Sequence, residues 1–318
     1  MWWTQLHRFV MEQFEEGSRH NIFGEIIGFL TGCHIVECAD VTVLCGLRLW
    51  DCDSEVGEIF ECLLKNNNQH VVCKHRCAYN RLAPVDQIDI EFELLIRFFD
   101  TNMNNVVLPI AVCFGEDNRC IEFLVFEKWH PKNLAYHLYH SPTREIQDPE
   151  ASFLFAQIVR GVQALHNVGI VHCDLVCENI LVDDATLTRV AVADLGVALS
   201  IDDPHILQFS SMGHADCKAP EKIISFKYDI YGLGKIGKAL YFKRSILSIK
   251  TELLTKLQDL RKQMSYDQLM HATNDETLLE NICNIPPKRI RDMLDRCVSP
   301  NPEERPTCQE ILIILDSM

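Results

Sequence analysis

His172-Cys173-Asp174-Leu175-Val176-Cys177-Glu178-Asn179-Ile180-Leu181, followed by Asp194-Leu195-Gly196, carries the reading of this chain. The run sets an aspartate, an asparagine and a second aspartate at spacings suited to holding metal and phosphate against a hydroxyl nucleophile. Hard oxygen ligands of this kind suit Mg²⁺, which keeps several waters and accepts only a few protein groups. Two surface loops carrying Asp and Asn by chance are the bland alternative. The two pieces lie about 20 residues apart and are flanked by apolar, strand-like runs, which argues against chance.

The stretch closely resembles the catalytic loop (H-R-D-L-x-x-x-N) and metal loop (D-F-G) of eukaryotic-type protein kinases. By that resemblance Asp174 is the catalytic base that orients the substrate hydroxyl, and Asn179 and Asp194 are the magnesium ligands. The resemblance also implies ATP as the phosphoryl donor, with chemistry that is positioning and charge neutralisation more than covalent catalysis. Upstream, Val71-Val72-Cys73-Lys74 looks like the family's V-A-I-K strand. Lys74 would contact the α- and β-phosphates, oriented by a carboxylate on the following helix. Glu91 opens a run similar to E-x-x-L-L and is the expected partner; Glu93, two residues on, is the competing choice.

In the glycine-rich loop, aligning Ile59 with the loop's valine puts Gly57 on the third glycine, with Cys52 and Ser54 on the first two. Side chains there limit how closely backbone amides approach phosphate, so weaker nucleotide binding is expected. Adenine would lie between Ile59 and Val72 above and Leu181 below. Phe126 resembles the gatekeeper, and the backbone of Glu127 to Trp129 the hinge.

Three further motifs speak for the fold and not for catalysis. Ala219-Pro220-Glu221 resembles the A-P-E that closes the activation segment, and Arg305 the arginine that pairs with its glutamate. Asp229-Ile230-Tyr231-Gly232-Leu233-Gly234 resembles the D-x-W-x-x-G helix start, whose aspartate anchors the catalytic loop. The resemblance implies an α+β, bilobal, protein-kinase-like fold over residues 49–318. It has a small β-rich lobe with a helix (49–127), a hinge (127–130) and a larger, mainly helical lobe (131–318).

Periodicity agrees with that division. Strand-like runs from Glu58 to Leu64 and from His70 to Lys74 bracket the turn-forming Asn66-Asn67-Asn68, as a hairpin would. Ile88 to Phe99 reads as helix, and Val106 to Phe114 and Ile121 to Phe126 as strands. Ala151 to Val168 is an amphipathic helix with Phe153, Phe155, Ile158, Val159, Val162 and Leu165 on its buried side. Residues 1–48 read as an appendage of a helix and short strands, without visible chemistry.

Several positions depart from the family pattern. Cys173 replaces the arginine that commonly binds an activation-loop phosphate, which argues against control by loop phosphorylation. Val176 stands where serine/threonine kinases place a lysine that steadies the γ-phosphate, and the arginine typical of tyrosine kinases is also missing. His214 and Cys217 precede A-P-E in place of a threonine and an aromatic residue. Leu195 for phenylalanine still fills an apolar slot between Leu95 and His172. Losing one cation beside the transferring phosphate costs about 2–4 kcal/mol of transition-state stabilisation, by analogy with removed oxyanion donors. That is roughly 30- to 1000-fold in rate. This uneven erosion is similar to the divergence of large-DNA-virus kinases.

The formal charge of −15 over 318 residues argues against nucleic acid or an anionic membrane as the main partner. The 15 cysteines are odd in number, scattered and free of C-x-x-C pairs, and no signal-peptide pattern opens the chain. A reducing compartment, cytoplasmic or nuclear, is expected. Cys73-Lys74-His75-Arg76-Cys77 matches no usual zinc spacing and reads as strand.

The leading reading is an ATP- and Mg²⁺-dependent kinase for serine or threonine hydroxyls of a protein substrate. The second is a kinase-fold scaffold that regulates a protein partner without phosphoryl transfer, supported by the eroded glycine loop, Cys173 and Val176. A small-molecule phosphotransferase is the third, and Glu221 with Arg305 count against it.

Overall fold

The computed structural model describes residues 5–6, 8–9, 19–31, 33–48, 59–75, 87–98, 101, 103–115, 121–139, 146, 148–183, 186–202, 218–221, 223–242 and 286–317. Gly57, Cys52, Ser54, Cys77, His214 and Cys217 lie outside them.

A helix, α1 (Arg19–Thr31), precedes a two-residue strand, β1 (His34–Ile35), and β2 (Val41–Arg48). β3 (Ile59–Leu64) and β4 (Gln69–His75) form the expected hairpin around the asparagines. Asn67 Oδ1 accepts from the Gln69 N–H at 2.9 Å, and Asn68 takes φ 54°. Asparagine tolerates that left-handed region and caps its own turn, which is why the run of asparagines turns the chain. α2 (Gln87–Leu94) continues into a 3-10 turn, Leu95–Phe98. β5 (Ala111–Phe114) and β6 (Ile121–Glu127) complete a six-stranded sheet ordered β1-β5-β6-β4-β3-β2. The strand run expected from Val106 is shorter than its composition suggests. Pro109 has no N–H for a ladder, and Val106 makes only an isolated bridge to Val192.

The sheet begins before residue 49, where sequence reading drew the boundary of an appendage. β2 pairs antiparallel along β3, and β1 adds to β5 in parallel. The composition of residues 34–48 is ordinary for strands. What places them in the sheet is the open edge of β5 and of β3, whose N–H and C=O groups need partners.

Beyond Glu127 the chain is mostly helical: α3 (Leu134–Tyr139), α4 (Asp148–Asn167), then the short strands β7 (Ile170–Val171), β8 (Ile180–Val182), β9 (Val190–Val192) and β10 (Leu199–Ser200). α5 (Phe226–Phe242), α6 (Lys288–Cys297) and α7 (Cys308–Asp316) follow. β8 pairs with β9, and β7 with β10, both antiparallel. A β-rich part followed by a helical part makes the class α+β.

α4 is the axis of the helical part and packs against α5 and α7. Leu154, Phe155, Ile158, Val159, Val162 and Leu165 are fully buried along it, a stripe at helical spacing. Phe153, expected on that stripe, is instead 54% exposed. Two residues from Phe155 is about 200° around a 3.6-residue turn, so burial of Phe155 turns Phe153 outward. α7 starts on a capping box, with Thr307 and Glu310 satisfying each other's backbone N–H groups.

Candidate active site

β4 alternates, so Val72 and Lys74 share one face of the sheet while Val71 and Cys73 pack into an apolar cluster on the other. The register sets Ile59 opposite Lys74, and Val72 opposite Phe126. Lys74 is buried, yet its Nζ lies 2.6 Å from Glu91 Oε1 and 2.8 Å from Asp194 Oδ1. α2 turns Ile88, Phe92 and Leu95 into the core, which brings Glu91 round to the lysine and leaves Glu93 exposed. The structure thus pairs Lys74 with Glu91 and not Glu93.

One ammonium serves two carboxylates, and the three groups titrate accordingly. Burial disfavours the charged Lys74, but Asp194 and Glu91 outweigh it and hold its pKa above the ordinary lysine value. Burial pushes Glu91 up to about 7, with Lys74 opposing. Asp194 also feels burial, but Lys74 draws it well below the usual carboxylate range. Asp194 is therefore held in its ionised form, and its side chain is 32% exposed.

The loop that carries Asp174 is held from beneath by α5. The Asp229 carboxylate accepts from the His172 N–H at 2.8 Å, the Cys173 N–H at 3.0 Å and His166 Nε2 at 2.9 Å. These bonds hold Cys173 at φ 69°, a left-handed conformation that non-glycine residues rarely adopt. The His172 ring, fully buried, uses both nitrogens: Nδ1 accepts from the Asp174 N–H at 3.2 Å, and Nε2 donates to the Ala193 carbonyl at 3.0 Å. One histidine thus ties the Asp174 loop to the residue before Asp194. Leu195 and Leu95 are both buried in the same apolar core.

Asn179 Nδ2 donates to Asp174 Oδ2 and to the Asp174 carbonyl, both at 2.9 Å. Its amide nitrogen is thereby committed to Asp174, and the amide oxygen is the end left to ligate a cation. Asp194 takes φ 65°. A carboxamide oxygen and an ionised, partly open carboxylate are the hard donor set that Mg²⁺ takes.

Leu181, Phe126 and Trp129 pack around Val107, Ala191 and Ala193 beside this site. Ile59, Val72 and Leu181 are each half-buried, as the walls of a cleft would be. Glu127 ends β6 and is exposed; the Arg189 guanidinium lies 4.4 Å from the centre of the Trp129 ring. Gly57, the remaining expected nucleotide contact, falls outside the described residues.

Cys173 does not leave a gap where an arginine is expected. It is buried with Val171, Leu199 and Ile224, so an apolar cluster occupies that place. Further along, Arg305 is 1% exposed and grips Glu221 with two bonds of 2.6 Å each. Its Nε also donates to the Ser299 carbonyl at 2.9 Å. His166 was not legible as part of the loop anchor, because a lone histidine near a helix end gives no sequence signal. Gly232 has its physical reason here: a Cβ on it would sit 2.8 Å from Leu175 Cβ, inside the catalytic loop's own backbone packing.

A buried lysine–glutamate pair beneath a β-sheet, a catalytic loop anchored by a helical aspartate and an arginine–glutamate lock define a protein-kinase architecture. The family model described as a protein kinase domain matches residues 54–313, and the chain belongs to that family. Among its curated relatives is the probable dual specificity protein kinase YAK1 homolog of Encephalitozoon cuniculi, 26% identical over 197 residues, 60% of this chain and 47% of that protein. Rhodopsin kinase GRK7 of Ictidomys tridecemlineatus is 27% identical over 238 residues, 72% of this chain and 41% of that protein. Serine/threonine-protein kinase plk-1 of Caenorhabditis elegans is 27% identical over 244 residues, 73% of this chain and 32% of that protein. The chain spans less than half the length of each. All three come from cellular organisms and lend no support to the viral resemblance. No described helix is long and apolar enough to cross a membrane.

Proposed function

We propose that this chain transfers the γ-phosphate of ATP to serine or threonine hydroxyls of a protein substrate, with Mg²⁺ as the cofactor. The observation that carries the reading is the junction at Lys74, where one buried ammonium bridges Glu91 on α2 and Asp194 in the metal loop. Such a junction sets the two halves of the site in one geometry before any nucleotide arrives, and that preorganisation is what phosphoryl transfer requires.

The residues divide the work. Lys74, held by Glu91, orients the α- and β-phosphates. Ile59, Val72 and Leu181 enclose the adenine, with the backbone from Glu127 to Trp129 along its edge and Gly57 in the phosphate loop. Asn179 and Asp194 would hold Mg²⁺, which when bound neutralises phosphate charge. Asp174, steadied by Asn179, takes the hydroxyl proton as the oxygen attacks. Serine and threonine are the proposed acceptors because the arginine of tyrosine-specific catalytic loops is missing, and relatives such as plk-1 are named serine/threonine kinases. Among the described residues, Cys62 and Cys297 are buried and not in disulfides, which supports a reducing cytoplasmic or nuclear setting.

A scaffold that binds a regulatory partner without turnover is the second reading, favoured by Val176 and by the apolar cluster around Cys173. The deciding experiment is γ-phosphate transfer from labelled ATP·Mg²⁺ to a mixed basic-protein substrate, wild type against Asp174→Asn. Transfer by the wild type that is lost in the variant is expected. A folded wild type that transfers nothing across a broad substrate panel would overturn the enzyme reading in favour of the scaffold.

A further inference from the structure

We propose that residues 19–31 and 33–36 form a built-in brace that holds α2, and with it Glu91, in register with Lys74. The effect on turnover rests on the kinase reading above, whereas the brace itself does not.

α2 has only eight residues, too few to hold its own position in water. Where Glu91 points is therefore decided by what α2 packs against. Its inward face, Ile88, Phe92 and Leu95, lies in one apolar core with Ile27 of α1, which is fully buried. α1 also touches the Leu95–Phe98 turn that finishes α2. The brace takes a second hold on the sheet. His34 N–H donates to the Ile110 carbonyl at 3.1 Å and Val36 N–H to the Val112 carbonyl at 3.0 Å, laying β1 along the free edge of β5.

The corner between helix and strand is tied internally. Thr31 Oγ1 donates to the Ile27 carbonyl at 2.7 Å and accepts from the Cys33 N–H at 3.1 Å. Cys33, also fully buried, directs its thiol to the Pro109 carbonyl at 3.0 Å. From β5 the contact returns to α2 through Phe114, whose ring meets Phe92 edge to face at 5.8 Å. Helix, corner, strand and α2 thus close a ring of contacts behind Glu91. Cys173 sits in apolar surroundings where the family resemblance would put a phosphate-binding arginine, so this ring offers a source of order that needs no modification of the chain.

The test uses the full chain with Ile27→Asp, wild type, and the exposed-site control Glu25→Ala. Amide hydrogen exchange over residues 87–98 is expected to quicken at least tenfold in Ile27→Asp, with α4 and α7 unchanged and the control like wild type. Phosphoryl transfer should fall at least tenfold in the same sample. If the aspartate variant does not fold, Ile27→Ala is read in its place with the same criteria. Rapid exchange over residues 19–31 and 33–36 with wild-type protection over 87–98 would overturn the brace. Should the wild type show no transfer, the exchange result still decides the brace, and only the kinase reading fails.

Discussion

Asp229→Asn measures how firmly the catalytic loop is held. The carboxylate is 1% exposed and spends both oxygens, Oδ1 on the Cys173 N–H at 3.0 Å and Oδ2 on the His172 N–H at 2.8 Å. Against this stands the left-handed backbone of Cys173, φ 69°, at a cost of about 1–2 kcal/mol. Hydrogen bonds to a charged acceptor contribute about 1.5–3 kcal/mol each, so the pair outweighs the strain. Asparagine has one oxygen for two N–H groups that now use different oxygens. Whichever way its amide turns, one buried N–H faces another donor, and His166 loses its carboxylate partner. Leaving a buried donor unsatisfied costs about 1–3 kcal/mol. That is a loss of about 1–3 kcal/mol, or roughly 5- to 150-fold more frequent loop opening. Hydrogen exchange by mass spectrometry over residues 170–179, with α7 as internal reference, reads it directly. Exchange within a factor of two of wild type would refute the reasoning that Asp229 holds the loop against strain.

Four further substitutions have defined outcomes. Lys74→Met should abolish phosphoryl transfer while circular dichroism shows the fold intact; wild-type turnover would show that the lysine is misassigned. Val176→Lys should raise kcat at least tenfold if the missing cation limits the rate, and an unchanged kcat would mean another group steadies the γ-phosphate or chemistry is not limiting. Arg305→Ala leaves Glu221 and two carbonyls without their buried partner, so denaturant unfolding should show a loss of about 3–5 kcal/mol. Gly232→Ala forces a methyl against Leu175, and overpacking of this kind costs about 1–3 kcal/mol. Because Leu175 follows Asp174, turnover should fall more than thermal stability; parallel changes in both would argue for a purely structural role.

Much of the arrangement could be read from residue order because it depends on short spacings. Asp174 and Asn179 meet because five residues of loop return the amide to the carboxylate, and the asparagine run between β3 and β4 turns the chain by its own side-chain bonds. The motif favoured Glu91 over Glu93, but residue spacing alone did not fix which of the two faces Lys74. Both lie on one short helix, and which carboxylate faces Lys74 depends on how Phe92 and Leu95 bury. Phe153 shows the same limit on α4: an apolar residue was visible, but its direction followed from the rotation that buries Phe155.

Residues 34–48 are the larger case. Their composition marks strands without naming partners, and β1 contributes just two residues to its pairing. Sequence alone determined the kinase motifs, the hairpin, the helical axis and the departures at Cys173 and Val176, since each is written in local residue type and spacing. Only the tertiary structure decided that the segment before residue 49 joins the sheet and that Glu91 shares a lysine with Asp194, 120 positions from Lys74. Those outcomes depend on open sheet edges and helix rotation, which are set by packing between distant parts of the chain.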